Sequence, residues 1–282
     1  MFKYLELYSV KKINLLLYNV VIVKKSLTTV GLFVILLTNM TAVQAVTNNR
    51  YALVIGNSNY KYATKLKNPK NDAIDLTETL RSLHFETTLI QNATNSKIKK
   101  SVIDFLSKLK ETGGVGLFYY AGHGVQFEGS NYLVPVETRA GTEIEIKNQS
   151  FNISSLLNGM RNIKTATNII ILDACRDNPF KYANQPGIRS RSVTPNRSLV
   201  RVSIPKLDSG LSKLNAPSNT LIAFATAPGK VALDGKGRNS PYTSQLIASL
   251  QRSGLTIGEV FRQVRLSVVK ESKGKQIPWE SS

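Results

Sequence analysis

The chain has 282 residues, room for an export segment and one large domain or two small ones. At 42% hydrophobic and 20% charged it is ordinary globular material, not a disordered chain. Its single cysteine, Cys175, excludes an internal disulfide and a cysteine-rich zinc site, and its two histidines, His84 and His123, lie too far apart in sequence to suggest a histidine-based metal centre. The formal net charge of +19 would suit a nucleic acid or an anionic membrane, but the basic residues are scattered, with no basic helix and no ladder of interleaved aromatics.

Taken in chain order, residues 1–45 read as an export segment. Lys24-Lys25 precede the apolar run Leu27–Leu37, and Val43-Gln44-Ala45 supplies a small-residue cleavage site. A second apolar patch, Ile13–Val23, stands upstream, and neither run alone is long enough to span a bilayer. A cleaved signal and an uncleaved membrane anchor are both open, and either places the domain outside the cytoplasm, periplasmic or secreted. An exported chain with one cysteine keeps a free thiol.

From about residue 50 the pattern alternates strand and helix. Strands are expected at Tyr51–Gly56, Phe85–Gln91, Val115–Tyr120, Ile169–Asp173 and Thr220–Thr226. Helices are expected at Asn68–Leu83, where Pro69 and Asp72 suit a helix start, and at Thr94–Lys110, with Ile98, Val102, Phe105, Leu106 and Leu109 on one side. Further helices are expected at Ile153–Arg161, Pro241–Leu250 and Thr256–Ser272. Val125–Val136 reads as a hairpin turning at Glu128–Asn131. This predicts an α/β fold, a three-layer sandwich whose mostly parallel central sheet is flanked by helices, over residues 50–282. Residues 181–215 break the pattern with scattered Arg and Lys among serines and prolines, and read as a basic flexible loop.

Two strands carry the chemistry. Thr167–Asn178 (TNIIILDACRDN) starts as a β-branched run suited to a strand buried on both faces and ends at Cys175; Val115–Gly124 (VGLFYYAGHG) has the same grammar and ends at His123. In parallel sheets ligands bind beyond the carboxyl ends of the strands. If the two strands are neighbours, their ends lie about 5 Å apart, within side-chain reach. An ordinary thiol is a few per cent thiolate at neutral pH, and a neighbouring imidazole can take its proton and later pass it to a leaving amine. The backbone N–H groups of Gly124 and Cys175 are candidates for an oxyanion hole.

The motifs YALVIGNSNY, YYAGHG and LDACRDNPF resemble the caspase-like cysteine peptidases, in particular their bacterial branch related to metacaspases. The likeness continues through NTLIAFATAPG, NSPYTSQL and QIPWESS, covering about residues 50–282. It implies a catalytic His123–Cys175 dyad. Where true caspases bracket the cysteine core with glutamine and glycine, this chain has Asp173 and Asp177. The resemblance also implies that Asp173, two residues before the cysteine, and Asp72, in the Asn-Asp element after the first strand, bind a basic substrate side chain. Cleavage would then follow Arg or Lys rather than Asp. It needs no cofactor, although some metacaspases respond to calcium, and it leads one to expect a further strand beyond Trp279. The partner implied is a polypeptide with a basic residue at the cut, with nucleic acid not expected and membrane only if the leader is retained.

Plainer readings stand beside these. Cys175 alone suits an inert buried thiol, Asp173 a turn cap, Asp72 a helix N-terminus, and His84 a structural position near a helix end. Asp234 and Asn239 are peripheral to the expected pocket. Residues 181–215 suit a solvated segment or a site of self-cleavage. Two other functions compete with the endopeptidase: a catalytically silent caspase-like interaction module, and a basic nucleic-acid- or envelope-binding protein.

Overall fold

A computed structural model describes residues 49–139, 141–163, 166–175, 179–180, 211–230 and 232–282. The export segment and residues 181–210 of the basic loop lie outside the described residues. Among the described residues no helix is long and apolar enough to cross a membrane.

β1 (Arg50–Gly56) is buried from Ala52 onward and runs through the middle of the sheet. Gly56 ends it against helix α1 (Pro69–Ser82), which opens on Pro69 and faces the sheet with Ala73, Leu76 and Leu80. β2 (Glu86–Gln91) is an edge strand, parallel to β1. The Thr94 side chain accepts the Lys97 N–H to cap α2 (Asn95–Thr112), whose buried stripe is Ile98, Val102, Phe105 and Leu109. Expected and observed boundaries of both helices agree to within two residues, because Pro69 at the start of α1 and the Thr94 cap of α2 each coincide with the apolar period.

β3 (Gly114–Phe127) departs from expectation: one strand of 14 residues runs through His123 and on into the hairpin. The glycines read as its end are interior to it. Gly122 has φ +152, and a Cβ there would meet the Tyr60 and Tyr120 hydroxyl oxygens at 2.6 and 2.7 Å. β3 turns into β4 (Ser130–Leu133) through Glu128 and Gly129, with φ of 46° and 76°. This is the two-residue, positive-φ hairpin turn, tighter than Glu128–Asn131. Two short elements were not anticipated. Helix α3 (Glu143–Gln149) opens on a Thr142–Glu145 capping box, and β5 (Phe151–Asn152) pairs with β4. Then follow α4 (Ile153–Arg161), β6 (Ala166–Cys175), β7 (Thr220–Phe224), α5 (Pro241–Leu250) and α6 (Ile257–Glu271). Trp279–Ser281 forms β8, antiparallel to β7.

The main sheet runs β2-β1-β3-β6-β7-β8, parallel except for β8. The two-residue period of its strands sends Leu53, Phe118, Ile170 and Ile222 against α2 and α4. It sends Ala52, Leu117, Ile169 and Ala223 against α1, α5 and α6. A third cluster, with Tyr60, Val125, Val134 and Phe180, fills the space under the hairpin. At the end of the basic stretch Leu211 and Leu214 are buried in the first cluster, so residues 211–215 belong to the packed domain.

Gly56 is where strand and helix approach most closely: a Cβ there would lie 2.3 Å from the Pro69 carbonyl oxygen and 2.7 Å from the Ala73 Cβ. Gly56→Ala is expected to lower stability by about 1–3 kcal/mol, read from urea unfolding.

Candidate active site

The register decides which residues meet. β3 and β6 pair in parallel from Gly114↔Ala166 to His123↔Cys175. The histidine and cysteine, far apart in sequence, thus stand side by side where the parallel pairing of β3 with β6 ends. Gly124 follows at once, paired across β4 with Leu133, and its Cα faces the Leu211 and Ala174 side chains.

His123 is 4% exposed and held on every side. Its backbone N–H donates to the Tyr60 hydroxyl at 2.7 Å. Its carbonyl accepts the Tyr120 hydroxyl at 2.9 Å, and the Val134 N–H at 3.0 Å. The Tyr60 ring lies 4.5 Å from the imidazole, tilted by 49°. Nε2 is 2.7 Å from the Thr64 carbonyl oxygen. A carbonyl only accepts, so Nε2 carries the proton and Nδ1 has the free lone pair. Nδ1 is buried and has no hydrogen-bond partner among the described residues. Burial pushes the imidazole pKa below its usual value, against the smaller opposing effect of the Thr64 bond. The ring is therefore a neutral base, in one tautomer, with its basic nitrogen unoccupied.

The loop between β1 and α1 makes this possible. Its buried Asn57 bonds the Val134 carbonyl and the Ala93 N–H, tying the end of β1 to the hairpin and to the β2–α2 connection. The Asn92 side chain takes the N–H groups of Ser58 and Asn59. Beyond Tyr60, the Lys61 N–H donates to Val136 and the Thr64 N–H to Pro179. Thr64 thus holds the imidazole through its carbonyl and the segment after Cys175 through its N–H.

The two expected acids also come together. Asp173 continues the face of Ile169 and Ile171 and meets the N-terminus of α5. There Ser240 Oγ donates to its Oδ2 at 2.5 Å and Thr243 Oγ1 at 2.9 Å. Asp72, 1% exposed in the first turn of α1, accepts the Ser240 N–H at 2.9 Å. Its pKa is pushed up to about 8, first by burial and then by the charge of Asp173. The helix-terminus role considered for Asp72 is real but concerns a second helix, since its carboxyl binds the N-cap of α5. Asp234 accepts the backbone N–H groups of Lys67 and Asn68, and Asn239 bonds Asp75. His84 is exposed at the C-terminal end of α1 with φ 64°, away from this cluster. Sequence reasoning missed Tyr60, Thr64, Tyr120, Ser240 and Thr243 as contributors. Four of them stand inside or beside quoted motifs, but Thr64 acts through backbone atoms that no side-chain pattern reveals.

The profile of the caspase domain, peptidase family C14, matches residues 49–282. The chain belongs to the caspase domain family. The human mucosa-associated lymphoid tissue lymphoma translocation protein 1 is 33% identical over 153 residues, and its mouse homologue 32%. The aligned part is 54% of this caspase-family chain but 18% of either relative, so the chain spans under a fifth of their length. Caspase-1 of Spodoptera frugiperda shares the fold, with a TM-score of 0.59 at 16% identity over 84% of this chain and 90% of that one.

Two outcomes follow from the geometry. Tyr60→Phe keeps the ring against His123 but removes the acceptor of its N–H; a loss of about 1–3 kcal/mol is expected in chemical denaturation. Asp72, whose ordinary pKa is 3.8, holds its proton to about pH 8 in the folded chain. The folded state therefore binds more protons than the unfolded state across that window, and this group's contribution to stability declines as pH rises through it. Asp72→Asn, which keeps an acceptor for Ser240, is expected to raise Tm relative to the parent at pH 8 and to lose that advantage near pH 4.

Proposed function

We propose that this caspase-family chain is a cysteine endopeptidase using His123 and Cys175, cutting after Arg or Lys. The observation that carries the reading is the His123↔Cys175 register together with a buried Nδ1 that has no partner among the described residues. Nδ1 takes the thiol proton as the Cys175 sulfur attacks the peptide carbonyl carbon, and the carbonyl oxygen becomes an oxyanion at the N–H groups of Gly124 and Cys175. Collapse of this adduct breaks the C–N bond, the imidazolium gives its proton to the leaving amine, and a thioester remains. Water, deprotonated by the same Nδ1, then hydrolyses the thioester and the thiol recovers its proton.

The basic preference is supported by the convergence of Asp72 and Asp173. Two carboxyls buried together are costly when both are ionised, as the raised Asp72 pKa shows. A guanidinium or ammonium placed between them would relieve that cost, so the pair favours a cation over a carboxylate. The reading includes export of the domain, through the apolar segment before residue 46, and kinship with the bacterial metacaspase-related branch. Among the described residues no group of three or more His, Cys, Asp or Glu is placed to hold a metal ion.

The test is hydrolysis of fluorogenic peptides ending in Arg, Lys or Asp. Arg and Lys peptides are expected to be cleaved and Asp peptides not. Cys175→Ala and His123→Ala should each lower kcat/KM by at least about a thousandfold. Turnover that survives Cys175→Ala would sink the mechanism, and equal cleavage after Asp would sink the specificity.

A further inference from the structure

The two loops that build the site carry an unusual excess of positive charge. Lys61, Lys65, Lys67 and Lys70 lie in the connection from β1 into α1, with no acidic residue between Gly56 and Asp72. Lys236 lies in the loop before α5, and Arg139 after the hairpin. All six are exposed, and among the described residues none has a salt-bridge partner. Lys67 Nζ donates instead to the Lys236 carbonyl at 2.7 Å, which joins the two loops without neutralising either cation. Arg139 stacks on the Tyr62 ring, 4.7 Å from its centroid, and donates to its hydroxyl.

Their placement follows from what their neighbours touch. Lys61 adjoins Tyr60, which packs on the imidazole; Lys65 adjoins Thr64, whose carbonyl binds Nε2. The Lys67 N–H binds the Asp234 carboxylate. Lys70 precedes Asp72 by two residues, and Lys236 follows Asp234 by two. These exposed lysines therefore lie on the connections that carry or contact Asp72 and Asp234, while Asp72 and Asp173 themselves are buried.

We propose that these cations form a rim, a cationic collar selecting polypeptides in which a single basic residue at the cut is flanked by acidic residues. The collar rests on the peptidase reading, and it resolves an electrostatic conflict within it. A chain of net charge +19 repels a polybasic segment. One arginine or lysine carried by acidic neighbours is drawn in by the rim and satisfies the buried pair. The closely spaced charges of a nucleic acid would suit the rim but would bring no cation to Asp72 and Asp173, so an acidic polypeptide fits both features where a nucleic acid fits one.

The experiment uses the full chain carrying Cys175→Ala and three fluorescent peptides with the same central arginine, flanked by glutamates, by serines or by lysines. Anisotropy at about 50 mM salt is expected to show the glutamate-flanked peptide binding at least about tenfold tighter than the lysine-flanked one, with the gap closing near 500 mM. The combined K61E, K65E and K70E exchange should abolish or reverse the order. Should that variant fail to fold, the salt series on the parent carries the test alone. Equal affinity for all three peptides overturns the collar, as does tighter binding of a single-stranded oligonucleotide of matched charge that displaces the glutamate peptide. Cleavage of the same peptides by the unmutated chain is scored separately: tight, charge-ordered binding without cleavage upholds the collar and removes the peptidase.

Discussion

Ten consecutive Cα pairings between β3 and β6 bring the site into being, the last of them joining His123 to Cys175. Because a parallel ladder spaces neighbouring chains by about 4.8 Å, the two residues are adjacent for as long as the register holds. A slip of one residue would turn each side chain of β6 to the opposite face, moving Asp173 from α1 and α5 to the side of α2 and α4. The same register therefore fixes both the His123–Cys175 pairing and the approach of Asp173 to Asp72, and the apolar side chains on both faces of β6, among them Ile170, Ile171 and Leu172, hold it there.

Around that register the chain places polar groups where water would otherwise be needed. The histidine backbone, inside a buried strand, has its N–H and carbonyl met by two phenols, and Gly122 is bare so that both phenol oxygens can stand beside it. Asp173 meets the N-terminal turn of α5, whose hydroxyls and helix dipole favour its negative charge. Asp72 accepts the Ser240 N–H, yet its burial and, after that, the charge of Asp173 raise its pKa.

Much of this was legible in the residues. Unbroken apolar runs marked the buried strands, and Pro69, Thr94 and Pro241 marked helix starts, because burial and the preferences of helix ends act locally. His123 and Cys175 were visible as the only such residues closing those runs. What escaped was set by tertiary context. The glycines of YYAGHG looked like the end of a strand, yet they sit inside it because a neighbouring loop needs their empty Cβ space. Glu143–Gln149 is short and weakly patterned, and its capping box alone did not announce it. The export segment and most of the basic stretch lie outside the described residues, so the reading of those parts rests on composition alone.

One bond pair has an implication for how such a domain changes over time. Thr64 joins the imidazole and the segment after Cys175 through its own peptide atoms, one on each side of its Cα. Its side chain is exposed and takes no part in either bond. What must be inherited at this point is the length and path of the connection from Asn57 to Pro69, not the letter at position 64. Insertions and deletions there would break both bonds, while exchanges of side chain, proline excepted, leave them in place.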